Sequence, residues 1–70
     1  MKQVIHNGYV ITVSANNDRD LWRAHAIIIW DKGNFELHDE ARFPTQVEGE
    51  NHAVESGKHW VNNHLQKMQG

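Results

Sequence analysis

The sequence predicts an α+β fold in two layers, a three-stranded antiparallel meander packed by one C-terminal helix in the order β-β-β-α. Three observations predict it. Residues 9–13 and 21–31 alternate apolar and polar side chains with the period of two that a half-buried strand shows. Lys32-Gly33 joins the second of these runs to Phe35 and Leu37 as a two-residue connection. Thr45-Gln46-Val47-Glu48 then has the spacing of a helix-capping box and opens a stretch of helical periodicity. Seventy residues allow one domain, residues 1–70, and a chain of that length buries only about 60% of the surface its unfolded form exposes.

The first strand is expected over about residues 4–14, with Tyr9, Ile11 and Val13 on one side and Val10, Thr12 and Ser14 on the other. Asn16-Asn17-Asp18-Arg19 supplies residues that tolerate left-handed backbone and bond their own main chain, so a turn belongs there. The second strand, about 21–31, puts Trp22, Ala24, Ala26, Ile28 and Trp30 on one face and Leu21, Arg23, His25, Ile27 and Ile29 on the other. The third covers about 34–40. A helix over about 46–67 follows Pro44, with Val47, Val54, Val61, Leu65 and Met68 on one stripe and Ala53, Gly57 and Trp60 beside them. The opposite arc holds His52, Glu55, His59, Asn63 and Gln66. Gly57 costs about 1 kcal/mol relative to alanine in a helix. Its place in the apolar stripe therefore predicts a close crossing, expected over the small residues Ala24 and Ala26.

Composition narrows the function classes. The chain has no cysteine, which removes disulfides, thiolate zinc sites and thiol chemistry. Seven basic and nine acidic residues give a formal charge of -2 and no basic footprint, so nucleic acid is an unfavoured partner. The longest apolar run, Ala26 to Trp30, is far short of the ~20 residues that span a bilayer, so no membrane partner is expected. Lys2 has no apolar run behind it of signal-peptide length, which makes the cytoplasm the default location. Catalysis is not expected. Asp39 and Glu40 are adjacent in a strand and point to opposite faces, Ser14 and Ser56 have no histidine at a nucleophile spacing, and no glycine loop cradles a phosphate. No cofactor is implied.

Six histidines in 70 residues are the unusual feature, since imidazole both titrates near neutrality and ligates metals. His52, Glu55 and His59 share a helical face and are the candidate metal residues. His52 and His59 stand two turns apart, about 10 Å along the axis, so they supply at most half a site and a solvated face is the plainer reading. His6, His25 and His38 are expected on the sheet face away from the helix. With turns at Asn17-Asp18 and Lys32-Gly33, His25 would oppose Val10 and Glu40, His38 would oppose Ile27, and His6 would oppose Ile29, so the three would not converge. His64, late in the helix, is expected to cap or to pack.

The element order is shared with the double-stranded-RNA-binding domain, whose lysine-rich helix start is replaced here by Thr45-Gln46-Val47-Glu48-Gly49-Glu50. Three-stranded DNA readers use arginines on the open face, which here would carry Arg23 among His25, Ile27, Glu36 and Glu40. Gly8-Tyr9-Val10-Ile11, Trp22-Arg23-Ala24, Phe43, and Ala53 with Gly57-Lys58 resemble small bacterial proteins of unknown function, some related to a haemolysin-expression regulator family. That resemblance implies a fold and no activity. The expectation is a non-enzymatic binding or regulatory accessory module. Its contact surface would be Val10, Arg23, His25, Ile27 and Ile29, and it would meet a protein partner or a second copy. The alternatives are a nucleic-acid-binding regulator and a histidine-dependent metal or pH sensor.

Overall fold

The computed structural model describes residues 2–69, with side chains through Lys67. Strands β1 (Lys2–His6), β2 (Tyr9–Asp18), β3 (Leu21–Trp30) and β4 (Gly33–Phe43) precede one helix, α1 (Gln46–Gln69). The strands form one antiparallel sheet in the order β1-β2-β3-β4, and α1 lies over it, mainly on β2 and β3. The fold is α+β as expected, with four strands where the sequence reading had three.

The additional strand comes from the Asn7-Gly8 turn. Both residues have positive φ, 53° and 84°, the backbone of a two-residue hairpin whose twist matches its strands. The expected strand of residues 4–14 is thus two strands, with Val4 opposite Ile11 and His6 opposite Tyr9. The second turn also lies later than expected. Arg19 and Asp20 take φ of 56° and 68°, β2 continues to Asp18, and Asp18 pairs with Leu21. The third turn is Asp31-Lys32, since Trp30 pairs with Gly33.

β4 extends to Phe43, past its expected end, because it bulges. His25 opposes His38, but Arg23 opposes Arg42. Three residues of β4, Asp39 to Ala41, therefore face one residue of β3, Ala24. An excess of two preserves the alternation of faces, so Phe43 returns to the helix side, opposite Trp22. The Asp39 carboxylate closes the bulge by accepting from the Ala41 amide at 2.8 Å.

The core lies between α1 and the face bearing Tyr9, Ile11, Val13, Ala15, Ala24, Ala26 and Ile28, to which the helix adds Ala53, Val54 and Val61. Thr45 caps the helix through its Oγ1, which accepts from the Glu48 amide at 3.2 Å. Val47, expected on the packed stripe, is 64% exposed, and the first turn of α1 meets the sheet through Gly49 instead. Met68, assigned to the same stripe, lies outside the described side chains. Gly57 does mark a close crossing, yet over a different residue: a Cβ there would come within 2.7 Å of Ile11 Cγ2. Gly49 makes a second close approach that the sequence reading did not single out, with 3.0 Å between an added Cβ and Ala15 Cβ.

At the far end of the helix, Trp60 stacks between Phe35 (4.9 Å between ring centres) and His64 (4.7 Å). Trp30 contacts Tyr9, Trp60 and His64. His64 is thus a packing residue of an aromatic cluster.

Candidate functional site

The side chains opposite the core form four cross-strand rows of three or four residues, beyond which Asp18 stands opposite Leu21. Ile5, Val10, Ile29 and Asn34 make the first, and Gln3, Thr12, Ile27 and Glu36 the second. Ser14, His25 and His38 make the third, and Asn16, Arg23 and Arg42 the fourth. No element of the described chain covers these rows. Ile5 is 75% exposed and Ile29 48%. All five expected contact residues, Val10, Arg23, His25, Ile27 and Ile29, share this face. Ile5 joins them because the Asn7-Gly8 turn gives β1 its own alternation. The same turn removes His6, which sits on the helix side and meets Asn62 Oδ1 through Nε2 at 3.0 Å.

For one pair of the three, His25 and His38, the third row corrects the expectation that His6, His25 and His38 do not converge, while His6 stays apart from them. With the turn at Asp31-Lys32, His25 on β3 lies directly opposite His38 on β4, and their rings stack with centres 4.6 Å apart and planes at 29°. Glu36, two residues before His38 and so on the same face, brings Oε2 to 3.5 Å from His25 Nε2 and 3.3 Å from His38 Nε2. Exposure falls unevenly across the group: 71% for the His38 side chain, 57% for Glu36 and 25% for His25. His25 Nε2 is buried and has no hydrogen-bond partner among the described residues. Beside the pair, Asn17, Asp18, Arg23 and Asp39 line a shallow groove, and Arg42 is bridged to Asp18 at 3.2 Å.

The candidate metal residues of the helix are not gathered. His52 turns to β4, where its Nε2 donates to Asp39 Oδ2 and its ring lies 4.8 Å from that of Phe43. Glu55 and His59 instead line a groove with His6, Lys58 and Asn62. The Asp39 carboxyl is held below the ordinary carboxylate range, first by the Ala41 amide and further by His52, against the opposing effect of burial. Among the described residues, the set of three ligand-bearing groups whose donor atoms lie within 4.8 Å of one another is His25, Glu36 and His38. Register alone carried the signal for it: a two-residue connection at Asp31-Lys32 pairs the two histidines at once.

No protein-family model matches the chain, and no curated protein or solved structure is similar enough to count as a match. Among the described residues, no helix is long and apolar enough to cross a membrane.

Proposed function

We propose that the protein is a small non-enzymatic binding module whose open sheet face meets another protein surface, a second copy of the chain being the first to test. One observation carries this reading. Ile5, Val10, Ile27 and Ile29 lie in two adjacent rows on a face that the single helix leaves open. Their rim is polar, with Gln3, Thr12, Asn34 and Glu36 around them. An apolar centre within a polar rim is the common anatomy of an interaction patch, and a domain of this length without disulfides gains most by burying one.

Replacing Ile27 and Ile29 by threonine keeps β-branching and strand propensity while removing apolar area. Self-association in sedimentation is expected to fall while the fold persists. A chain that is monomeric at high micromolar concentration both before and after the change, with unaltered capture of partners, would contradict the reading.

A second reading, a histidine-dependent metal or pH sensor, is favoured by the His25, Glu36 and His38 cluster. Regulation through nucleic acid has less to rest on, because the two arginines of this face stand opposite each other and one of them is bridged to Asp18.

A further inference from the structure

We propose that His25, His38 and Glu36 form a three-ligand site for a divalent transition-metal cation of the zinc type. This deepens the sensor reading and is argued from the geometry of the cluster alone, which borders the apolar patch. A zinc ion holds imidazole nitrogen and carboxylate oxygen at about 2.0–2.2 Å in a tetrahedral arrangement. Ligand atoms on such a tetrahedron stand about 3.3–3.5 Å from one another. Glu36 Oε2 already stands 3.3 Å from His38 Nε2 and 3.5 Å from His25 Nε2. Two of the three edges therefore have the length that a bound ion sets.

The third edge, between a ring nitrogen of each imidazole, lies within 4.8 Å. It closes by rotation of the His38 ring, whose side chain is 71% exposed and has solvent to move into. His25 is the fixed ligand. It sits on an interior strand paired on both sides, and its buried Nε2 has no hydrogen bond among the described residues. Buried polar atoms are nearly always satisfied, and an exception is where an unseen water or ion belongs. A metal bond at that lone pair would satisfy it.

The donor set decides the class of ion. Two imidazoles with one carboxylate suit zinc and its transition-metal neighbours, whereas calcium and magnesium take oxygen ligands. Three protein ligands leave a fourth position open to water or to a group from a partner. Glu36 supplies one negative charge, and both imidazoles bind metal only in the neutral form.

The test is calorimetric titration of the full chain with zinc ion alone in a non-chelating buffer. Binding of one zinc per chain is expected. His38→Ala and Glu36→Gln should each weaken it about tenfold or more, the least that perturbing a metal's ligand environment usually costs. His59→Ala should leave it unchanged. His38 and Glu36 are exposed, so both variants should fold, and a circular dichroism melt verifies that. Ring signals of His25 and His38 in proton–nitrogen spectra should shift together on addition of zinc. The same titration on the Ile27→Thr/Ile29→Thr variant keeps this outcome separate from any failure of the interface. Equal affinity in the wild type and the two ligand variants would overturn the proposal. So would a loss of binding in His59→Ala, or no heat of binding with zinc at millimolar concentration.

Discussion

Asp39 shows how one side chain can hold two elements in place. Its Oδ1 accepts from Ala41 inside the β4 bulge, and its Oδ2 accepts from His52 on the helix. Both bonds favour the ionised carboxylate, so its folded pKa is lowered. The sign of the pH dependence follows. The stabilisation is fully present above the unfolded carboxylate value, near 3.9, and is lost as pH falls through the lower folded value. Asp39→Ala should lower stability at neutral pH by about 1 kcal/mol, the worth of an ordinary hydrogen bond. It should also flatten the acid side of a stability-against-pH curve below about pH 5, as read in urea melts at each pH. At Gly57 the limit is steric. Alanine would gain about 1 kcal/mol of helix propensity, but its Cβ would meet Ile11 Cγ2 at 2.7 Å. Ile11 is completely buried, and that methyl is fixed by β-branching. Overpacking of this kind costs about 1–3 kcal/mol, so Gly57→Ala is expected to lower the melting temperature or at best leave it level. A clear rise would show that the helix can lift off the sheet.

At the scale of elements, the departures in strand number and register have their origin in turns. Alternation of side chains was legible because a register error of whole pleats leaves every residue on its own face. Val10, Arg23, His25, Ile27 and Ile29 were placed together although both expected hairpin turns were misplaced. Cross-strand partners are less forgiving. Moving the third turn from Lys32-Gly33 to Asp31-Lys32 changes the partner of His25 from Glu40 to His38 and so creates the histidine cluster. Turns at Arg19-Asp20 lack the glycine that marks left-handed backbone, and propensity placed the bend in the Asn-Asn-Asp run before them. Asn7-Gly8 did carry a strong hairpin signal, which the continuous apolar alternation around it obscured. The β4 bulge had no signal beyond Asp39 itself, since the bond that closes it is a local one between a side chain and the backbone. The helix was the most legible element because its cap and its periodicity agree, and Thr45 caps it as expected. Gly8 has φ of 84° and nothing within 4 Å of an added Cβ. Gly8→Ala should therefore cost only the left-handed backbone penalty, about 1–2 kcal/mol, visible in a chemical melt, and it should loosen β1 alone, visible as faster amide exchange there.

Across the whole molecule, a four-stranded sheet has one face packed by a single helix and one face left open. The two faces differ in chemistry. The packed face is apolar at its centre, and the open face grades from aliphatic rows through the stacked imidazoles to arginines. The gradation places the histidine cluster at the border of the apolar patch, so a partner seated on the patch would also shield His25 and Glu36 from water. Ile27→Thr/Ile29→Thr removes apolar area from the patch and leaves the core untouched. Its melting temperature should stay close to the wild type, since substitutions away from the core usually change stability by about 0.5 kcal/mol or less. The central claim, that the open face is the contact surface, is tested most directly by following the backbone amide resonances as the protein is diluted from millimolar to low micromolar concentration. The signals of Ile5, Val10, Ile27 and Ile29 and their row neighbours are expected to shift together with dilution, and the outer residues of the helix, such as Glu55 and His59, to stay still. Concentration-dependent shifts confined to the helix, or a spectrum that does not change with dilution or with a captured partner, would contradict it.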